Sequence, residues 1–232
     1  MEPKINHRWD LGEDEAKKIQ EELSKMVKEE KLDFIPRFVA GVDISYNFGS
    51  DILFAGVVIL SYEDLSIVEK AVAVKEVKFK YIPGLLSFRE TPAILEAFKK
   101  IKTEPDIIFV DGQGIAHPRF FGIASHIGLI YDKPSVGVAK SILVGTPDFI
   151  PKKKWEIAPL RFKGRIVGCL VCTDEKSQPI VVSVGHKITL QDALEIVKKM
   201  TAGFRIPEPT RLAHIIVNEA RRKYGSKGKI YY

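Results

Sequence analysis

The order of the apolar segments is what most limits the folds open to this 232-residue chain. Three β-rich runs, at 37–46, 52–60 and 66–77, are joined by the short connections NFGSD and SYEDL. Connections of that length suit antiparallel neighbours, because parallel neighbours need a crossover of about a dozen residues or more. Beyond residue 90, helical and strand-like segments alternate, as is typical of α/β folds. The pattern predicts an α/β fold with a mixed sheet flanked by helices.

The remaining elements follow from hydrophobic periodicity and from helix-start signals. Near the N-terminus, Ala16, Ile19, Leu23 and Val27 recur at helical spacing. Helices are predicted at 10–31, 91–102, 121–132, 189–200 and 210–223, later strands at 107–112, 135–139, 164–173 and 179–185, and a loop at 79–90. Because no linker-like segment divides the chain, residues 1–232 are predicted to form a single domain.

Composition allows an anionic partner without requiring one. Hydrophobic residues make up 45% of the chain and the net charge is +6. Two basic clusters with aromatic residues, at 151–155 and 221–232, could contact phosphates or could be a solvated face and a frayed tail. The N-terminus lacks a signal-peptide pattern and no apolar run is long enough to span a membrane, so we expect a cytoplasmic protein without membrane association.

The two cysteines, Cys169 and Cys172, form a C-x-x-C pattern inside a predicted strand. Residues three apart on a strand point to opposite faces, so the two thiols should diverge. No second Cys/His pair completes a zinc site. A structural role is therefore expected for both.

Three carboxylates occur where carboxylates are unusual. Asp43 lies among apolar residues of a strand, where a buried carboxylate needs a cationic partner or a metal. Asp111 ends the apolar run IIFV and precedes Gly-Gln-Gly, although an Asp-Gly turn explains it equally well. Glu90 stands just before a predicted helix, where it could simply favour the helix dipole. Together these residues suit a hard, oxygen-preferring ion such as Mg²⁺.

The segment 80–86 places large, rigid residues between two predicted elements. Tyr81, Ile82 and Pro83 precede the flexible Gly84. Apolar side chains of this kind can be inserted between base steps of a nucleic acid. A loop packed over the core is the alternative.

Five sequence blocks taken together resemble the endonuclease V family. They are GVDISY at 41–46, YIPGLLSFRE at 81–90, VDGQGIAHPRFFGIASHIG at 110–128, GVAKSIL at 137–143 and SVGHKITL at 183–190. Their order and spacing match over essentially the whole chain, and the DGQG-x-x-HPR block is highly specific. The resemblance implies an RNase H-like single domain with a mixed five-stranded central sheet. It also implies a DNA repair enzyme that hydrolyses the second phosphodiester bond 3′ to deoxyinosine, using Mg²⁺ or, as a substitute, Mn²⁺.

The resemblance also assigns roles to individual catalytic residues. Asp43 and Asp111 correspond to the direct Mg²⁺ ligands, and Glu90 to a third carboxylate that acts through water. Lys140 matches the family's active-site lysine, which suits stabilisation of phosphate charge. His214 aligns with a late carboxylate-or-histidine position and is expected to contact metal-bound water, since imidazole is a poor direct partner for Mg²⁺.

The same comparison implies how a lesion is recognised. Tyr81, Ile82 and Pro83 resemble a wedge that fills the gap left by a flipped nucleotide, with Lys80 where the family usually has proline. The pocket for the flipped hypoxanthine is expected to consist of Gly84, Leu86, Gly112, His117 and Ile123. Backbone groups suit this task because O6 of hypoxanthine accepts and its N1–H donates, the reverse of adenine.

Two further histidines receive no predicted role. His186 follows a strand and could face the site, whereas His126, in the middle of a helix, is expected to pack in the core.

Several functions stay open on sequence grounds. The expected partner is inosine-containing nucleic acid, and the sequence does not separate DNA, duplex or single-stranded, from RNA. An endoribonuclease acting on inosine-containing RNA and a non-catalytic inosine-binding module are the alternatives. A Rossmann-type oxidoreductase is excluded because no GxGxxG follows the first strand. No obligatory protein partner is evident.

Overall fold

The computed structural model of the protein describes residues 1–224, and its strands form one mixed sheet in the spatial order β3-β2-β1-β4-β5-β9-β8-β7-β6. The strands are β1 Phe38–Ser45, β2 Ile52–Ser61, β3 Ile67–Glu76, β4 Ile107–Asp111, β5 Ser135–Ala139, β6 Thr146–Pro147, β7 Ile157–Phe162, β8 Arg165–Val171 and β9 Ile180–His186. The helices are α1 Glu13–Ser24, α2 Leu86–Lys99, α3 Ile123–Tyr131, α4 Leu190–Lys199 and α5 Glu208–Tyr224. Most of the predicted basic cluster 221–232 lies outside the described residues.

The first five strands have the predicted arrangement. β1, β2 and β3 form an antiparallel meander, and β1, β4 and β5 run parallel to one another. The alternation of helices and strands after β3 supplies the crossovers that parallel strands require. An α/β domain with a mixed, helix-flanked sheet is therefore confirmed.

The described sheet has nine strands and is therefore larger than the predicted five-stranded centre. The five predicted central strands are contiguous, and β9, β8, β7 and β6 extend the sheet beyond β5. The segments of β8 and β9 were predicted as strands but not added to the central five. β6 has only two residues, and β7 contains Pro159, which obscures a strand pattern.

Helix α2 begins at Leu86, five residues earlier than predicted. The sequence signal at Thr91-Pro92 looked like a helix start, because proline favours the first turn. Pro92 instead lies nearly two turns inside the helix. Glu90 is consequently a buried helix residue and does not precede the helix. The predicted loop at 79–90 is correspondingly shorter.

Apolar residues fill both faces of the sheet. One layer lies beneath α2 and α3 and includes Val42, Val57, Ile94, Phe98, Val110 and Ile127. The other lies beneath α4 and α5 and includes Val58, Phe109, Val138, Val182, Val197 and Ala213. Cys169 belongs to this second layer, and both cysteines are buried free thiols. Among the described helices, none combines the length and apolar character needed to cross a membrane.

Two glycines allow α5 to approach the sheet closely. A Cβ added at Gly41 on β1 would lie 1.9 Å from the carbonyl oxygen of Pro209, and one at Gly56 would lie 2.5 Å from a methyl of Val217. Side chains at these positions would therefore push α5 away. The close contact brings α5, and His214 with it, over the strand that carries Asp43.

Candidate active site

The carboxylates Asp43 and Asp111 lie at the same level on adjacent parallel strands. The register of β1 and β4 pairs Val42 with Val110, and each aspartate follows directly. The carboxyl ends of parallel strands are where α/β sheets place their sites. Asp43 is buried, as the apolar sequence around it predicted, and Asp111 is partly buried.

A third group from α5 completes a cluster that could hold a cation. One ligand atom from each of Asp43, Asp111 and His214 lies within 4.8 Å of the other two. Nδ1 of His214 is 2.7 Å from Oδ2 of Asp43, within hydrogen-bond distance. The two aspartates therefore converge in space, as a shared ion requires.

The electrostatics of the cluster fit a divalent cation. Burial, followed by repulsion from Asp111, raises the pKa of Asp43 to about 6. Burial, followed by repulsion from Asp43 and Asp111, raises the pKa of Glu90 to about 8. Crowded carboxylates that resist ionisation are stabilised as anions by a nearby positive charge. With its carboxylate oxygens, the donor set suits a hard ion such as Mg²⁺ or Mn²⁺.

Lys140 extends from the end of β5 toward the same carboxylates. Its Nζ lies 2.5 Å from Oδ2 of Asp111, and its side chain is 42% exposed. Two hydrogen bonds hold the backbone carbonyl groups of Lys140 and of the residue that follows it. Arg205 donates to the carbonyl oxygen of Lys140 at 2.9 Å, and Nε2 of Gln113 donates to that of Ser141 at 2.9 Å. The ammonium group is thus paired with Asp111, and part of its surface is open to solvent.

A cavity of about 340 Å³ lies beside Asp111. All five residues predicted for a base pocket line it: Gly84, Leu86, Gly112, His117 and Ile123. Asp111 and Lys140 line it as well. The predicted pocket and the predicted catalytic cluster are therefore contiguous.

Local backbone geometry gives the cavity its shape. Gly84 has a φ of +78°, and Gly112 has a φ of +154°, conformations that side chains other than hydrogen rarely allow. A Cβ at Gly112 would lie 2.5 Å from a methyl of Ile123. Burial, then the neighbouring Arg119 cation, lowers the pKa of His117 to about 4. His117 is therefore neutral at physiological pH. Its Nδ1 accepts from the backbone N–H of Arg119 at 3.2 Å, which leaves Nε2 as the donor nitrogen of the ring.

Similarity to known proteins shows the family of this chain. A sequence model of the family described as Endonuclease V matches residues 20–215. The chain belongs to the endonuclease V family. The endonuclease V of Dictyoglomus turgidum is 48% identical over 210 residues, which cover 90% of this chain and 90% of that protein.

Solved structures agree with this membership. The endonuclease V of Streptomyces avermitilis has a TM-score of 0.88 at 36% identity and covers 97% of this chain and 100% of its own. The Ciona intestinalis endonuclease V, in complex with a 24mer DNA containing an inosine followed by a ribo-adenosine, has a TM-score of 0.79 at 28% identity. That match covers 90% of this chain and 97% of the Ciona chain. The chain is accordingly a nuclease of the endonuclease V family.

The three residues that were predicted to form a wedge face in two different directions. Tyr81 is 61% exposed, and Tyr81 and Pro83 both line the cavity. Ile82 instead packs against a cluster that includes Phe79 and Phe88. The inward position of Ile82 fixes the loop to the core and leaves Tyr81 and Pro83 at the cavity.

Neither of the two unassigned histidines lies at the catalytic cluster of this endonuclease V. His186 pairs with Ser135 at the start of β5, whereas Val138, near the end of that strand, pairs with Asp111. His186 therefore lies at the opposite end of the sheet from the carboxylates and does not face the site, a possibility that the sequence had left open. His126 is fully buried, as expected for a packed residue.

Four residues of this endonuclease V that support the site were not singled out from the sequence. They are Gln20, Gln113, Arg119 and Arg205. Gln113 and Arg119 lie inside the specific DGQG-x-x-HPR block, whose glycines, aspartate and histidine drew attention first. A signal for Gln20 was present, because a polar residue one turn after Ala16 interrupts the apolar face of α1.

Proposed function

We propose that this endonuclease V cleaves strands that contain deoxyinosine, the product of adenine deamination, at the second phosphodiester bond 3′ to the lesion. The proposal includes dependence on Mg²⁺, with Mn²⁺ as a substitute. The observation that carries it is the shared wall of cavity and cluster, since Asp111 and Lys140 line the base-sized cavity. A base held there keeps its own strand beside the carboxylates.

The relative from Ciona supports deoxyinosine as the lesion that is recognised. Its crystal contained DNA with an inosine, and its chain aligns with 90% of this one. The cavity here is lined by backbone at two glycines and by a neutral imidazole. Hypoxanthine pairs with such groups through O6 and N1–H, whereas adenine reverses both and leaves buried partners unsatisfied. Each lost hydrogen bond costs about 1–3 kcal/mol, so adenine is disfavoured.

The wedge role is proposed for Tyr81 and Pro83. An exposed aromatic ring beside a rigid proline can occupy the gap that a flipped base leaves in the stack. Ile82, packed against Phe88, holds the loop from below.

The catalytic roles follow from position. Asp43 and Asp111 would hold the divalent cation, which when bound polarises a water molecule and offsets phosphate charge. Glu90 interacts electrostatically with both aspartates, and His214 orients Asp43 through its hydrogen bond. Lys140 stabilises negative charge that develops on the phosphate. Attack by water on phosphorus breaks the bond to the 3′ oxygen, which leaves as a 3′-hydroxyl and yields a 5′-phosphate on the downstream strand.

Cleavage of inosine-containing RNA is a second candidate function. The DNA bound by the Ciona enzyme carries a ribo-adenosine after the inosine. A ribonucleotide therefore fits that relative beside the lesion, and a 2′-hydroxyl there is compatible with the same pocket and cluster.

The test uses matched DNA and RNA strands that differ only by inosine or adenosine at one position. Each is incubated with the protein, with and without Mg²⁺, and the cut is mapped at nucleotide resolution. We expect Mg²⁺-dependent cleavage of inosine strands at the second bond on the 3′ side. Equal cleavage of adenosine strands, or cleavage at scattered positions, would contradict the proposal. Cleavage confined to the RNA strand would select the second candidate.

A further inference from the structure

One buried side chain from α1 connects two walls of the base cavity. Gln20 is fully buried. Its Nε2 donates to the carbonyl oxygen of Gly84 at 3.1 Å and to that of Phe121 at 2.7 Å. Gly84 belongs to the loop before α2, and Phe121 precedes the start of α3 at Ile123. Because Gly84 and Ile123 both line the cavity, Gln20 fixes the separation of two elements that define it.

Arg119 completes the network from the opposite side. Its Nε donates to Oε1 of Gln20, and its terminal nitrogen donates to the carbonyl oxygen of Gly84 at 2.7 Å. The Gly84 carbonyl therefore accepts hydrogen bonds from two side chains, Gln20 and Arg119. The N–H of the same peptide unit, on Leu85, donates to the carbonyl oxygen of Ile82 at 2.9 Å. Hydrogen bonds thus hold this peptide unit at both ends.

A purely stabilising role does not require an amide at this position. Ala16 and Leu23 lie on the same buried face of α1 and are apolar. A buried amide instead demands partners in fixed directions, and each missing partner is costly. The amide of Gln20 satisfies two backbone carbonyls that otherwise have no role in a helix or strand. The amide of Gln20 therefore fixes the positions of these two carbonyl groups.

We propose that Gln20 is a positioning residue that sets the shape of the base cavity and thereby its selectivity for hypoxanthine over adenine. The inference rests on the proposed function, since it concerns the base that the cavity accepts. Functional pockets lose selectivity when their walls shift by about half an ångström. Release of Gly84 and Phe121 would permit such a shift without altering Asp43 or Asp111.

The experiment compares two substitutions with a matched control. Gln20→Met keeps the length and removes all polar atoms. Gln20→Glu keeps an oxygen for Arg119 but places a carboxylate against two carbonyl oxygens. Gln191→Met, at an exposed glutamine on α4, is the control. Single-turnover cleavage of inosine and adenosine strands gives the rate at saturating protein and the half-saturating concentration, and thermal unfolding reports stability.

Both Gln20 variants should raise the half-saturating concentration for the inosine strand by about tenfold, while the saturating rate changes by less than about threefold. The preference for inosine over adenosine should fall with it, and hydrogen–deuterium exchange should increase at 79–87 and 119–123. Gln20→Glu separates a positioning role from a purely stabilising one. Its ion pair with Arg119 can preserve the stability of the protein while Gly84 and Phe121 are released. The control should match the wild type.

Three results would overturn the inference. The first is unchanged affinity and selectivity in folded variants, and the second is a loss that affects inosine and adenosine strands equally. The third is a stable Gln20→Glu protein with wild-type selectivity, which decides the matter should Gln20→Met fail to fold. A wild-type protein that does not prefer inosine would instead refute the proposed function, so the two failures are distinguishable.

Discussion

Single side chains determine whether the cluster works as a cation site. Asp43 and Asp111 are close enough to share an ion, and burial, followed by repulsion from Asp111, raises the pKa of Asp43. Replacing either with asparagine keeps the volume but removes a negative charge. We expect Asp43→Asn and Asp111→Asn to lower the cleavage rate at least about 100-fold while binding to an inosine strand stays measurable.

The control for these variants is Asp148→Asn, at a surface carboxylate that pairs with Arg161. It should cleave at the wild-type rate. Gel-shift binding and single-turnover cleavage measured on the same preparations separate affinity from chemistry. A wild-type rate in either cluster variant would show that the metal assignment is mistaken.

The proposed wedge can be tested at a single residue, Tyr81. Tyr81 is exposed and makes few demands on the fold. Tyr81→Ala should weaken binding to an inosine duplex by about 1–3 kcal/mol, because stacking on an aromatic ring contributes that much per base. Binding to an undamaged duplex should change much less. Equal losses on the two duplexes, measured by fluorescence anisotropy, would remove the wedge role from Tyr81.

Among the elements, α5 matters most to the site because it delivers His214. Its approach to the sheet depends on Gly41, where an added Cβ would lie 1.9 Å from backbone oxygen of Pro209. Gly41→Ala should destabilise the fold by about 1–3 kcal/mol as the helix is forced outward. The cleavage rate should fall as well, because His214 moves away from Asp43.

The matching control is Gly12→Ser, where an added Cβ meets nothing within 4 Å. Urea unfolding gives the stability change, and cleavage at saturating protein gives the rate. An unchanged unfolding midpoint for Gly41→Ala would show that α5 does not depend on this contact.

At the scale of the whole molecule, the neutral pair of His7 and His126 makes the stability of the fold dependent on pH. Burial, then repulsion from His7, lowers the pKa of His126 well below its ordinary value. Nε2 of His7 lies 2.8 Å from Nε2 of His126, and Nδ1 of His7 donates to the carbonyl oxygen of Arg8. His126 therefore donates to His7, with both rings neutral.

Because the pKa of His126 is lowered in the folded protein, the protein loses stability as the pH falls. Above about pH 6.5 both the folded and unfolded chains keep His126 neutral. As the pH falls below that value the unfolded chain takes up a proton that the folded chain resists, so stability is lost, by at most about 1.4 kcal/mol per pH unit for this group. His126→Phe should therefore lose less stability than the wild type between pH 6.5 and 5. Urea titrations with identical slopes against pH would refute the assignment.

The sequence predicts those parts of the structure that depend on local patterns of residues. Strands β1 to β5 and the positions of Asp43 and Asp111 were predicted correctly, because alternation and an apolar run ending in Asp-Gly are local patterns. The start of α2 was missed because Pro92 resembled a helix start. β7 was missed because Pro159 interrupts its strand pattern.

The supporting residues were harder to predict, because their partners lie far away in the chain. Gln20 contacts Gly84 and Phe121, and Arg205 contacts Lys140. Nothing in the local sequence states such pairings. The resemblance to a family supplied the pocket residues, and the structure places all of them around one cavity.

The proposed cleavage activity depends most on a divalent cation held between Asp43 and Asp111. The direct measurement is an anomalous difference map from crystals grown with Mn²⁺, collected for the wild type and for Asp111→Asn. We predict one peak within about 2.6 Å of carboxylate oxygens from both aspartates, and its loss in the variant. A wild-type map with Mn²⁺ bound elsewhere, and none between these two side chains, would contradict the account.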